Sequence, residues 1–386
     1  MRVAVIGVGQ SKFGQRKDAS IRELAYEAAQ AALDDCNGNV GISDIEAVVS
    51  GIASDHFAQQ LQPGALLSDY LGIAPKPNFR VEAACATGSA ALRTGLMAIK
   101  SGMHDLILVI GAEKMTEVDT PTAVGFIGRG GDVQWESPFG TTFPGNYAMI
   151  ARAHMARYKT TKEDLAKIAV KNHFYGAKNP YAQFQKEITL EKALTAPMIS
   201  SPLGLYDCSP LTDGAAAAIL VAEERAKSLT DTPIWVDASS VATDTMSLLD
   251  RKNLTELSSV QEAARKAYDQ AKVHPTKDID VACVHDCFTI AEILAYEDLG
   301  FCAPGAGKEL IEDAYIGGRI PVNVDGGLKA KGHPLGATGL AMLKEITIQL
   351  RGEAEAGRQA NGAEVGLMHN VGGTGHYAFI HVLRRQ

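Results

Sequence analysis

Hydrophobic positions along the chain fall into two textures. AVVSGI (47–52), LILVIG (106–111), AAAAILV (215–221) and VACVH (281–285) are almost unbroken β-type runs, which predicts strands covered on both faces. IWVDAS (234–239), EVGLMHN (364–370) and YAFIHVL (377–383) continue the series, and the opening MRVAVIGVGQ reads as its first member. Between these runs the period changes. SIRELAYEAAQAAL begins with a capping serine, Ser20, has Glu23 three residues on and then apolar residues at helical spacing, so an amphipathic helix started by a capping box is expected. Strands and helices alternating in this way predict an α/β protein.

The alternation breaks between about 119 and 206. VGFIGRGGDVQWESPFGTTFPGN is rich in Gly, Pro and aromatic residues, and two polar helical stretches follow, TKEDLAKIAVKNHF and ITLEKAL. The segment reads as an insertion of the kind that carries binding surfaces. Three parts are expected: 1–118 together with 207–229, the inserted 119–206, and 230–386. The outer two echo each other, because ATGSAALRTGLMAI (86–99) and GATGLAMLKEI (336–346) are both helices opened by small residues. One follows Cys85 and the other follows His333. In a duplicated fold such equivalent junctions meet, which brings Cys85 near His333.

Composition narrows the function without naming it. The 386 residues are 46% hydrophobic and 21% charged, ample for a large core. A formal charge of −8 argues against general affinity for nucleic acid or anionic membranes. No run approaches the roughly 18 apolar residues of a membrane span, and the N-terminus lacks the three-part build of a secretion signal. A cytoplasmic protein with reduced thiols is expected, and six cysteines then make reactivity the question.

Cys85 stands where an almost side-chain-free helix begins, a setting that favours the nucleophilic thiolate; a small cysteine packed in an Ala/Gly helix crossing is the alternative. His333, in GGLKAKGHPLGATG, sits among glycines that imply sharp turns and close approach, and reads either as a structural histidine or as the base for a nearby cysteine. HDCFTIAEILAYEDLG reads as a strand-to-helix turn, with Thr289 and Glu292 as a capping box and with His285 and Cys287 at the carboxyl end of a strand, where α/β sheets bind ligands. Cys283, His285 and Cys287 alternate, which on a strand would aim all three at one face. Zinc sites pair ligands around turns, however, and no second pair lies nearby, so no metal is expected. HNVGGTGHY is a glycine-rich turn between two strands, either a plain hairpin or a nest of N–H groups for an oxyanion.

Taken in order, CATGSAAL, SPLTDGAAA, HDCFT, GGLKAKGHPLGATG and HNVGGTG resemble the motifs of the thiolase superfamily along nearly the whole chain. HDCF, where the better-known bacterial thiolases carry NEAF, and Asn370, where they carry a cysteine, direct the resemblance to the sterol-carrier-protein-type and archaeal acetoacetyl-CoA thiolases. The resemblance implies a five-layered αβαβα sandwich of two duplicated halves, with 119–206 as a loop domain over CoA. It implies an acetyl-CoA C-acetyltransferase that condenses two acetyl-CoA, with Cys85 as nucleophile, His333 as its base and Cys287 as the acid and base at C2. His285 and His333 would serve one oxyanion, the backbone N–H groups of Cys85 and Gly372 the other, and Ser209 would lie near the pantetheine arm. CoA thioesters are then substrates, and no resident cofactor is implied. Also implied are a homodimer or homotetramer and a complex with hydroxymethylglutaryl-CoA synthase through a small zinc-ribbon/OB-fold protein, feeding the mevalonate pathway. The alternatives are a degradative 3-ketoacyl-CoA thiolase for longer or branched chains, and a catalytically silent scaffold.

Overall fold

The structure is a computed structural model and describes residues 1–385. The chain opens with β1 (Val3–Gln10), α1 (Ile21–Asp34), β2 (Ala47–Gly51), α2 (Asp55–Ala58), α3 (Pro63–Tyr70) and β3 (Asn78–Val81). It continues through α4 (Thr87–Lys100) and β4 (Leu106–Glu113) into α5 (Thr120–Gly128), α6 (Phe143–Tyr158), α7 (Lys162–Gly176), α8 (Leu190–Leu194), β5 (Met198–Ser200) and β6 (Leu203–Gly204). β7 (Gly214–Ala222), α9 (Glu223–Leu229), β8 (Ile234–Thr243), α10 (Ser258–Ala271), β9 (Val281–Cys283) and α11 (Thr289–Asp298) follow. The chain ends with α12 (Thr338–Arg351), β10 (Val365–Gly372) and β11 (Tyr377–Arg385). Among the described residues no helix is long and apolar enough to cross a membrane.

The strands hydrogen-bond in the order β3-β2-β4-β7-β1-β8-β11-β10-β9. Among the described residues two pairs, Ala4 with Trp235 and Val5 with Ile234, join the two halves of that order. Each half repeats the other. β3, β2, β4, β7 and β1 correspond to a lone parallel bridge at Val322, then β9, β10, β11 and β8. Cys85 follows β3, and His333 follows Val322.

Alternation along β4 explains why its sequence is apolar throughout. Leu106, Leu108, Ile110 and Ala112 pack with α1, whereas Ile107 and Val109 face the interior with Leu92 and Leu96 of α4. The helices after the two junctions, α4 and α12, lie against each other in the middle of the molecule, and glycines let them do so. A Cβ on Gly88 would come 2.8 Å from the Gly339 nitrogen, and one on Gly339 would come 2.3 Å from the Ser89 nitrogen. The echo between 86–99 and 336–346 is therefore a contact as well as a repeat. Segment 119–206 leaves between β4 and β7, which are neighbours in the sheet, so it interrupts the sequence without interrupting the sheet.

Candidate active site

Cys85 sits on a tight turn. Ala84 before it is held at φ +49°, a left-handed conformation that costs a non-glycine residue about 1–3 kcal/mol, and its N–H is taken by the Glu82 carboxylate. A 3₁₀ turn, Ala84–Ala86, then leads into α4, so the thiol stands at a helix start as the sequence predicts. The thiolate expectation fails, however. Burial pushes the Cys85 thiol up to about 12, outweighing the hydrogen bond that its sulfur receives from the Gly373 N–H. The resting group is the thiol.

His333 is reached through a π-helical turn, Gly327–Lys331, and that turn is held by the acid of HDCF. Asp286 accepts the N–H groups of Leu328 at 2.7 Å and Lys329 at 3.1 Å, and Gly327, at φ +57°, leaves the room it needs, since a Cβ there would lie 2.3 Å from its Oδ2. The His333 tautomer follows from its neighbours. The Thr338 hydroxyl donates to Pro334 O at 2.9 Å, so it must accept from His333 Nδ1, 2.7 Å away. Nε2 is left as a bare lone pair, without a partner among the described residues. Burial first, and the Lys331 charge second, hold His333 down to about 3, so the imidazole is neutral.

His285 has the opposite tautomer. Asn370 Nδ2 donates to Cys85 O and to His285 Nδ1, both at 3.1 Å, which places the His285 proton on Nε2, also without a protein partner. Burial and then the neighbouring His333 keep it neutral. The two rings meet edge to face at 5.1 Å, and Cys85 Sγ and one nitrogen from each ring all lie within 4.8 Å of one another. One imidazole is thus an acceptor and the other a donor beside the same sulfur.

A cavity of about 590 Å³ is lined by Cys85, Cys287, His333, Ser209, Phe288 and Gly373. Ser209 also fixes the HDCF turn, because its N–H donates to Cys287 O at 2.9 Å. A second chamber of about 640 Å³, which Arg80, Glu82 and Arg129 help to line, shares Cys85, Ile127, Phe143 and Leu335 with the first. The glycine-rich turn after β10 is pinned from outside at three successive carbonyls: Tyr147 Oη donates to Gly373 O at 3.1 Å, the Arg251 guanidinium to Thr374 O, and Ser259 Oγ to Gly375 O at 2.7 Å.

Two further expectations need correcting. Thr289 and Glu292 form no capping box: Thr289 Oγ1 bonds Asp207 at 2.9 Å, and buried Glu292 is held by Lys171, Asn172 and Asn323. Cys283, His285 and Cys287 do not share a face, because β9 ends at Cys283, where the Val284 N–H turns to Asn323 Oδ1 at 2.8 Å. The Cys85 sulfur accepts the N–H of Gly373, the residue after Gly372, which ends β10. Thr338, Asn370, Asp286 and Tyr147 were not singled out for any role in the sequence. Asn370 stood out there only as the residue replacing a cysteine, and Asp286 only as part of HDCFT.

Duplicated α/β halves whose junction helices bring a cysteine and a histidine together over an apolar cavity define a fold for cysteine-based acyl transfer. The family model for the thiolase N-terminal domain matches residues 3–224 and the thiolase C-terminal domain-like model matches 240–385, and the chain belongs to the thiolase family. It is 48% identical to the acetyl-CoA acetyltransferase of Methanothermobacter thermautotrophicus, over 99% of both chains. To human sterol carrier protein 2 it is 36% identical, over 96% of this chain and 70% of that one. Among solved structures it resembles the Ltp2-ChsH2(DUF35) aldolase, with a TM-score of 0.86 and 26% identity, over 100% of this chain and 98% of the other.

Proposed function

We propose that the chain is an acetyl-CoA C-acetyltransferase, joining two acetyl-CoA into acetoacetyl-CoA and CoA through a cysteine acyl-enzyme. The observation that carries the reading is the convergence of Cys85, Cys287 and two neutral imidazoles of opposite tautomer. His333 Nε2 takes the Cys85 proton as sulfur attacks the thioester carbon, while Cys287 protonates the departing CoA thiolate. The Cys287 thiolate then removes a C2 proton from a second acetyl-CoA, the carbanion attacks the acyl carbon, and Cys85 recovers its proton from His333. His285 Nε2–H is the donor for the enolate oxygen, and the N–H groups of Cys85 and Gly372 are donors for the tetrahedral one. The inserted segment covers CoA, since Thr120, Val124, Phe143, Phe184 and Leu205 line the cavity.

The name carried by the M. thermautotrophicus relative supports this activity. The reading extends to a cytoplasmic homo-oligomer that supplies acetoacetyl-CoA to hydroxymethylglutaryl-CoA synthase, at the head of the mevalonate pathway. It includes a small zinc-ribbon/OB-fold bridging protein. One observation favours a second reading: the chamber of about 640 Å³ beyond Cys85 exceeds what an acetyl group fills, which suits thiolysis of longer or branched 3-ketoacyl chains.

Intact-mass analysis after mixing with acetyl-CoA tests the mechanism. Wild type gains one acetyl group (~42 Da on the nucleophile), Cys85→Ala gains none, and Cys287→Ala is acetylated but does not turn over. An adduct persisting in Cys85→Ala sinks the assignment. Preference in thiolysis for chains of about six carbons or more moves it to the second reading.

A further inference from the structure

α6 of the inserted segment delivers Tyr147 to the reactive sulfurs. The residue is 1% exposed, its ring stacks on Phe288 at 4.6 Å, and its hydroxyl donates to Gly373 O at 3.1 Å. Phe288 follows Cys287 in the chain, and Cys287, Phe288 and Gly373 line one cavity, so a hydroxyl held at Gly373 O by a ring stacked on Phe288 stands beside the Cys287 thiol, where it favours the thiolate. One O–H therefore has two acceptors in range and can satisfy one at a time. While Cys287 is a thiol the carbonyl is the better acceptor; once Cys287 is a thiolate the sulfur is, because hydrogen bonds to charged groups are roughly twice as strong.

Cys287 needs such a partner. It is buried, and the charged or titratable groups around it are Cys85, Asp286 and Tyr147, with Arg251 facing the phenol from the far side of the glycine-rich turn. Asp286 and Cys85 disfavour a thiolate at Cys287, and His285 is committed at Nδ1 to Asn370. The phenol is held well above its ordinary range by burial, so it stays a donor.

We propose that Tyr147 is a catalytic residue of the second half-reaction, donating its hydroxyl hydrogen bond to the Cys287 thiolate between departure of the first CoA and abstraction of the C2 proton. The inference rests on the reading of Cys287 given above. Tyr147 keeps its own proton throughout. In the first half-reaction the Cys85–acyl bond forms, the acyl–CoA sulfur bond breaks, and the Cys287 proton leaves with CoA. In the second, the C2 proton returns to Cys287, the carbon–carbon bond forms and the Cys85–acyl bond breaks. No electrons are gained or lost.

Tyr147→Phe removes one oxygen from a stacked ring. Hydrogen exchange at C2 of acetyl-CoA in deuterated water is expected to fall about 10- to 100-fold, the worth of a hydrogen bond to a charged group. Alkylation of Cys287 in the acetylated enzyme is expected to shift about 1–2 pH units upward, and acetylation of Cys85 to stay within about threefold. Ser259→Ala, which unpins Gly375 from the same turn without reaching sulfur, is the control for loosening alone. If exchange in Tyr147→Phe stays within threefold of wild type, or if both variants lose acetylation and exchange together with no alkylation shift, the proposal is overturned. Fluorotyrosine incorporation keeps the ring and strengthens the donor, so it covers a Tyr147→Phe that does not fold: the alkylation limb moves down, and an unmoved limb overturns the proposal. If wild type takes no acetyl group the thiolase reading fails and this assignment fails with it, a result distinct from a normally acetylated Tyr147→Phe with unchanged exchange.

Discussion

Thr338→Val tests how the base is made. The Thr338 hydroxyl accepts the His333 Nδ1 proton at 2.7 Å because its own hydrogen is given to Pro334 O at 2.9 Å. Valine keeps the shape and removes both bonds. A buried Nδ1–H without an acceptor costs about 1–3 kcal/mol, so the imidazole moves its proton to Nε2 and satisfies it against the Cys85 sulfur. That tautomer is useless as a base, and the active one becomes rarer by the same free energy, about 5- to 150-fold. Quenched-flow measurement of acetyl-enzyme formation by intact mass is therefore expected to show a fall of that size in the acylation rate. Burial is unchanged, so acetyl-CoA binding stays within about threefold. Thr338→Ser, which restores the hydroxyl, recovers most of the rate. A valine variant acylating within threefold of wild type, or a serine variant as slow as the valine one, refutes the tautomer argument.

Gly88→Ala puts a methyl against backbone atoms of α12 at 2.8–3.0 Å, where about 1–3 kcal/mol of overpacking outweighs about 1 kcal/mol of helix propensity. Its melting temperature is expected to fall, because the contact is with backbone that cannot give, and kcat to fall about tenfold or more from displaced groups; unaltered kcat would show that the crossing does not set the site. Cys283→Ala is expected to keep full activity at a stability cost of about 1 kcal/mol in urea melts, and loss of turnover would return Cys283 to the chemistry. His333, His369 and His381 are each held by burial down to about 3. The unfolded chain binds more protons than the native one between about pH 3 and 6.5, so stability is greatest above 6.5 and declines toward pH 3. Among the described residues His381 has no partner at either ring nitrogen, so His381→Leu is expected to flatten the slope of melting temperature against pH, and an unchanged slope counts against it.

The two kinds of periodicity and the two glycine-opened helices were enough to read an α/β fold with duplicated halves, because strands buried on both faces leave little freedom in residue type. Cys85 was legible as a candidate at a helix start of small residues, His333 among turn-forming glycines, and His285 and Cys287 at the carboxyl end of a strand. Their protonation was not legible. A helix start argues for a thiolate at Cys85, yet burial reverses it, and burial is a sum over segments distant in sequence, Gly373 and His333 among them. Thr289 and Glu292 have the spacing of a capping box, but Lys171 and Asn172 of the inserted segment and Asp207 just after it compete for them. The tautomers of His333 and His285 depend on Thr338 and Asn370, at separations of 5 and 85 residues. Local propensity and pattern are properties of neighbours along the chain and can be read there. Which proton sits on which nitrogen, and whether a sulfur is charged, depend on desolvation and on partners that only folding assembles.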